Sequence, residues 1–413
     1  NIKSKMIKKI IVSTCLLLSL VSFAQEGTSS PYSFYGIGDV RFKGAVENRS
    51  MAGLAVEQDS IHLNLENPAS FANLKLTTFS LGGTYNTNKL KSDSKSESAK
   101  RTTLDYLAVG LPMGKFGIGF GLIPYSSVGY KVESLEGGSK RFSGSGGLNK
   151  AFLGVGYKIA PNFSIGADVQ YNFGKIENTR LEFVTGVPLG TQELNTATLS
   201  GVNFNVGTMY KTKISKKLNF YSSLNYTLES TLTSNNTRNI LTVSYDMRVD
   251  DVLDQEKFAK DLKLPSKLSF GAGIGESQKW LIGAQIVAGS KGDLVNTYND
   301  MNIVSYEKSM KYSLGGYYIP NYNSFSSYAK RIVYRGGLKF DKTGLMVNSE
   351  SINDIGLTLG LGLPISGSFS NVNIGFELGK KGTTSSNLVQ ENYANISVGF
   401  SLNDKWFVKR KFE

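Results

Sequence analysis

The sequence predicts an all-β fold: a 14-stranded antiparallel transmembrane β-barrel with an N-terminal hatch plugging the lumen. Three observations carry it. From residue 77 onward, short segments alternate apolar and polar side chains with period two. The connections between them alternate between tight turns and long polar loops. Residues 25–76 precede the first clean strand and show no strand alternation at all.

Taken in order, residues 1–24 read as a secretory signal peptide. Lys3, Lys5, Lys8 and Lys9 form a basic n-region, "IIVSTCLLLSLV" an apolar h-region, and Ser22-Phe23-Ala24 ends on a small residue before Gln25. The apolar run is too short for a membrane-spanning helix. Cys15, the single cysteine, lies inside it, so the mature chain offers no disulfide, thiolate ligand or thiol nucleophile. Without the four leader lysines, 42 basic and 33 acidic side chains leave a net charge of +9. That charge is spread over loops with no Lys/Arg run. An exported chain of this kind points to anionic lipid head groups and not to nucleic acid.

Residues 25–76 form the hatch. They contain "SPYSFYGIGD", "NRSMAGLAVEQDS" and Asn67-Pro68-Ala69. A segment of that length, joined to strand one at the periplasmic rim, can fold back into a lumen that the wall's own side chains are too short to fill. Pro68 fixes φ and removes a donor, and Asn67 can bond nearby backbone, which makes the tripeptide a turn. It either supports the plug or takes part in gating.

The barrel spans residues 77–402. Strands are expected near 77–87, 102–112, 116–130, 148–159, 163–178, 197–212, 218–230, 266–275, 279–290, 306–318, 331–341, 353–363, 370–381 and 392–402. The clearest is "FGIGFGL", with Phe116, Ile118, Phe120 and Leu122 on one face and three glycines on the other. Short turns such as "PMGK", "APN" and "ESQ" trade with long loops at 88–101, 131–147, 179–196, 231–264, 291–305, 342–352 and 382–391; "IPNYNSFSSYAK" is a longer turn that departs from this rule. A soluble sandwich or propeller also has many short strands. Here the strands reach membrane-crossing length, about 9–11 residues when tilted. Tyr85, Tyr157, Tyr210, Tyr226, Tyr318, Tyr334 and Tyr393 stand near strand ends, as interfacial girdles do. Only closed ladders or helices satisfy the backbone in hydrocarbon, and no segment here suits a helix of that length. The periplasmic tail is 403–413.

Arg49-Ser50-Met51-Ala52-Gly53, an acid at Asp59, Asn67-Pro68-Ala69 and the fourteen strands behind them span the whole mature chain. Together they resemble the FadL-type outer-membrane transporters of long-chain fatty acids and other hydrophobic compounds. The aromatic, basic ending "LNDKWFVKRKFE" is similar to a branch of that family. The resemblance implies a hatch inside the lumen with Asn67, Pro68 and Ala69 in it, and a kink in strand three that opens the wall sideways. Pro124 interrupts strand three, and proline there removes a ladder bond and marks a bulge. A lateral opening is therefore expected at Ile123, Pro124 and Tyr125, unless the spanning part ends at Leu122 and Pro124 begins an external loop.

Chemistry is scarce. His62 is the only histidine, which excludes a His-rich metal site, and Asp59 beside it reads as its partner within the plug. "GIGFG" and "GLGLGLP" alternate inside strands and open no helix, so they are no nucleotide loops. In "RVDDVLDQEKFAKDLKLP", Asp250, Asp251 and Asp254 supply oxygens suited to Ca²⁺. The same stretch reads better as a short amphipathic helix with Val249, Leu253, Phe258 and Leu262 apolar, stopped by Pro265. Leu253, Phe258 and Leu262 would then line an external-loop groove. No enzyme, cofactor or metal is expected.

The function expected is passive uptake of long-chain fatty acids or other hydrophobic molecules across a bacterial outer membrane. The route would be capture at the external loops, an apolar pocket beside the hatch with Met51, Leu54, Phe71 and Leu74, and lateral or plug-mediated release. Outer-membrane lipid and a hydrophobic small molecule are the partners. The rival is a non-transporting accessory barrel within an outer-membrane protein secretion or assembly complex, docking through 231–264, 320–330 and the tail. A continuous apolar tunnel favours the first, and a sealed, polar, packed lumen the second.

Overall fold

The computed structural model describes residues 27–405, apart from 94, 135–137, 245, 247–248 and 295–302. Residues 1–26, which hold the expected signal peptide, and the tail from residue 406 lie outside the described residues.

The N-terminal segment expected as the hatch comes first in the chain. It carries a 3-10 turn at Pro31–Phe34, a two-residue strand β1 (Asp39–Val40), one helical turn α1 (Val46–Arg49) and a second 3-10 turn at Pro68–Asn73. The wall follows as β2 (Thr77–Lys91), β3 (Ser96–Met113), β4 (Phe116–Ser134), β5 (Gly138–Ala160), β6 (Phe163–Val184) and β7 (Gly190–Lys213). Its seventh strand is β8 (Asn219–Thr227) continued by β9 (Ser230–Val243), and its eighth is β10 (Val249–Leu264) continued by β11 (Lys267–Glu276). Then come β12 (Trp280–Gly289), a tenth strand made of β13 (Val304–Tyr306) and β14 (Ser309–Tyr318), and β15 (Val333–Val347). β16 (Glu350–Pro364), β17 (Asn371–Lys381) and β18 (Gln390–Asp404) complete the fourteen. β18 pairs with β2 from Gln390↔Lys91 to Asp404↔Thr77, which closes the cylinder. Among the described residues no helix is long and apolar enough to cross a membrane.

Alternation sorts the two faces. Phe120, Leu153, Phe204, Phe270, Leu338 and Leu378 are exposed on the outside, where lipid covers them. Asn172, Asn203, Asn205, Gln285, Thr358 and Asn373 are buried inside. Tyr85, Tyr210, Tyr226, Tyr318 and Tyr334 are exposed, and the Tyr157 ring packs against Phe116 at 4.6 Å between centroids, tilted by 35°. Tyr393 is not a girdle residue. It donates to Asp354 Oδ1 at 2.6 Å, and Lys339 lies 5.4 Å over its ring.

The external connections correct the sequence reading. Most of 88–101, 131–147, 179–196, 231–264 and 342–352 is strand and not loop, because the hairpins keep pairing past the hydrocarbon band. The helix expected after Val249 is absent; β10 pairs with β9 down to Leu264↔Ser230. Two causes act together. β7 offers its edge from Gly190 to Ser200, which β9 takes, and a helix would leave the next edge unpaired. Leu262 and Leu264 are also spaced by two, and both turn inward. They join Ile37, Val128, Leu148 and Leu232 in an apolar cluster that fills this side of the extended barrel.

Candidate functional site

Hatch and wall meet through glycine. Twelve of the fourteen strands turn a glycine toward the hatch: Gly110, Gly119, Gly156, Gly166, Gly207, Gly273, Gly283, Gly315, Gly337, Gly360, Gly375 and Gly399. A Cβ on Gly156 would stand 2.7 Å from both Ala72 N and Pro68 O, and one on Gly166 2.5 Å from Ala69 N. Both distances are below van der Waals contact with backbone, so only glycine lets the plug seat. The sequence showed these glycines alternating within strands, but not that they form one belt.

Asn67, Pro68 and Ala69 lie at the centre of that seat. Asn67 caps the Pro68–Asn73 turn, its Oδ1 accepting from Ala69 N at 3.0 Å. Its Nδ2 reaches Ser223 Oγ at 3.0 Å, Thr208 O at 3.1 Å and Leu224 O at 3.2 Å on the wall. The missing side chain of Gly207 leaves room for this amide. The Arg49–Gly53 stretch is a second anchor. α1 ends in left-handed Ala52 and Gly53 (φ +59° and +94°). Ala52 N donates to Thr358 Oγ1 at 3.0 Å, and Ser313 Oγ donates to Ala52 O at 2.8 Å.

Met51, Leu54, Phe71 and Leu74 are all buried but not together. Met51 and Leu54 pack with Val56, Tyr221 and Leu281; Phe71 and Leu74 pack with Leu63, Tyr106 and Ile123. None of the four lines the cavity described below. Leu253 is exposed on β10 and Leu262 is buried, so Leu253, Phe258 and Leu262 form no helical groove. Among the described residues no cluster of His, Cys, Asp or Glu is poised for a metal.

Three titrating groups of the hatch stand close in sequence. Burial would raise the Asp59 carboxyl, but the His62 ring 2.7 Å away and the N–H groups of Ile61 and His62 outweigh it and hold it at about 2. Burial opposes the His62 cation, yet Asp59 wins and raises it. Glu57 is pushed up to about 7, first by burial and then by Asp59, although Tyr317 donates to its Oε1 at 3.0 Å.

The wall has a seam. β3 and β4 pair from Met113↔Phe116 to Leu107↔Leu122 and then part, although β3 continues back to Ser96 and β4 on to Ser134. Two irregularities mark the parting. β3 bulges opposite Gly82 and Gly83, turning Asp105 and Tyr106 inward together. β4 shifts register against β5 between Pro124 and Ser126. Pro124 thus lies within a strand and begins no loop. The hatch enters the breach: β1 pairs with β4 through Asp39↔Ser127 and Val40↔Ser126, Arg41 N donates to Tyr125 O at 2.9 Å, and Asp39 is ion-paired with Lys381 across the lumen. Ile123 is buried, and Lys150 stands 4.5 Å over the Tyr125 ring. A cavity of about 380 Å³ opens at this level, lined by Arg41, Asp105, Ser127, Asn149 and Lys175 beside Leu104 and Pro124. Arg41 escaped the sequence reading because an isolated arginine in an irregular segment carries no periodic signal.

The BamG family model matches residues 6–413. No curated protein matches. Among solved structures, the chain is similar to the Pseudomonas putida toluene transporter TodX (TM-score 0.59, 14% identity, covering 89% of this chain and 98% of that one). It is also similar to the CymD monoaromatic hydrocarbon channel (0.58, 13%, 88% and 98%) and to a Pseudomonas aeruginosa FadL homologue (0.57, 10%, 88% and 98%). At these identities the likeness is one of fold. The fold is that of the FadL type, and the barrel belongs in a bacterial outer membrane.

Proposed function

The chain belongs to the BamG family, and from that premise we propose that it is a non-transporting barrel subunit of an outer-membrane protein secretion or assembly complex. The observation that carries this reading is the filled lumen. Hatch backbone or side chains lie against the glycine belt on twelve of the fourteen strands, the extended hairpins add an apolar cluster of their own, and the cavity at the seam is lined by polar and charged groups as much as by apolar ones. A passage for alkyl chains needs a predominantly apolar lining. Surface residues support docking. Phe325, on the long turn between β14 and β15, is fully exposed with Tyr322 and Tyr328 near it, and Val249, Val252 and Leu253 are exposed toward the tip of the β9–β10 hairpin. Clustered exposed apolar groups mark interaction surfaces.

A second reading, passive uptake of a hydrophobic compound such as a fatty acid, is favoured by the seam, whose broken ladder offers a sideways route into the outer leaflet near Ile123, Pro124 and Tyr125. Lateral release would then require β1 to leave β4. One preparation separates the two. Extraction from native outer membranes in mild detergent is expected to give a particle well above the mass of one barrel, containing other outer-membrane subunits, and a Phe325→Ala/Tyr328→Ala variant is expected to lose them. A lone barrel carrying a stoichiometric apolar molecule would decide for uptake.

A further inference from the structure

We propose that the cavity at the β3–β4 seam is a binding site for a phosphate monoester. The guanidinium of Arg41 supplies the main contact. Its Nε donates to Ser127 Oγ at 3.1 Å, while its Nη2 is buried and, among the described residues, has no hydrogen-bond partner. A buried charged donor left unsatisfied costs free energy, so an acceptor that reaches it from the cavity offsets that cost. Asp105 also lines the cavity, but its charge is already matched. Thr103 donates to Oδ1 at 3.0 Å, Thr84 donates to Oδ2, and Arg49 Nη1 lies 3.5 Å from Oδ2. Asp39, two residues before Arg41, is held by Lys381. The surplus charge facing the cavity is therefore positive and belongs to Arg41 and Lys175. Among the described residues Lys175 pairs only with Glu177, and both are about half exposed, so that pair is readily exchanged. Thr102 and Asn149 add further donors of the kind a tetrahedral oxyanion takes. A fork-shaped guanidinium with one free arm suits a phosphate better than a neutral ligand.

The seam begins where the outward face stops being apolar. Leu107 and Leu122 are exposed on the outside at its lower end and Leu104 at its own level, and "SGSGG" (143–147) runs along it in β5. That is head-group depth, so the phosphate can come from a lipid whose chains lie along Leu104 and Leu122, or from a soluble ester. Such a site is compatible with a docking barrel, since a bound head group would only fill the breach.

The test uses the full chain in neutral-detergent micelles, titrated with dodecyl phosphate and with inorganic phosphate by calorimetry. Saturable one-to-one binding is expected, weakened at least tenfold in Arg41→Gln and in Lys175→Gln and largely retained in Arg41→Lys. Tighter binding of dodecyl phosphate than of inorganic phosphate identifies a lipid source, and equal binding a soluble one; each keeps the site. Lack of saturation by either probe at millimolar concentration, or unchanged affinity in both glutamine variants, overturns it. Unheated gel mobility reports whether each barrel is folded, and Lys175→Gln, on the wall surface, decides the matter should Arg41→Gln fail to assemble.

Discussion

Glu57 and Asp59 stand two residues apart in one plug, yet their carboxyls are driven in opposite directions. Asp59 has His62 and two backbone N–H groups; Glu57 has the hydroxyl of Tyr317 and a repelling neighbour. The signs follow. Asp59, lowered from 3.8 to about 2, contributes stability that is present above pH 3.8 and lost as pH falls toward 2. His62, raised from 6.5, contributes stability below that value that is lost as pH rises through its folded pKa. Glu57, raised from 4.5 to about 7, favours the seated plug while protonated, and that contribution is lost between pH 4.5 and 7. Glu57→Gln is therefore expected to slow hydrogen exchange in residues 50–64 by roughly tenfold at pH 8 and to leave it unchanged at pH 4. Equal effects at both pH values would show that ionisation of Glu57 does not matter. At this scale the sequence was partly legible. Asn67 could be read as a capping side chain because Asn before Pro has a local mechanism. The partnership of Arg41 with Ser127 joins residues 86 positions apart, and nothing local announces it.

Among the elements, the Pro68–Asn73 turn and the belt beneath it invite direct perturbation. Asn67→Ala removes the cap and the amide's bonds to Thr208, Ser223 and Leu224, at an expected cost of ~1–3 kcal/mol to hatch seating. Gly166→Ala should act similarly from the wall side, because its Cβ would meet backbone at Ala69 and overpacking costs ~1–3 kcal/mol. In both variants limited proteolysis is expected to cut within 60–76 several-fold faster than in the parent, while the barrel keeps its heat-modifiable mobility. A plug as resistant as the parent's in both variants would mean that the belt and the cap do not hold it. Within the hydrocarbon band the strands were legible because one face must be apolar. Beyond the band both faces meet water or the lumen, so the strands at 179–184 and 190–196 carry no wholly apolar face and read as polar loops. β10 misled for a further reason: Val249, Leu253 and Leu262 can be fitted to a helical stripe, whereas pairing with β9 decided the outcome. Tyr393 near its strand end looked like a girdle residue until the lumen supplied Asp354 and Lys339 as partners.

The molecule as a whole is a closed cylinder filled at one level by the hatch and at another by the apolar cluster under its long hairpins. In planar bilayers the intact chain is expected to pass little or no ion current, while deletion of residues 28–74 opens steps of pore size. Large steps from the intact protein would contradict a filled lumen. The glycine belt also constrains manufacture. A plug packed this closely against its casing has little clearance through which to slide in afterwards, and the seam that joins the chain's first and last wall strands, β18 against β2, is next in sequence to the plug's own exit at Thr77. The order of construction follows: the cylinder must be wrapped about its stopper, and whatever cellular device zips those two edges together has to receive the leading segment already in place.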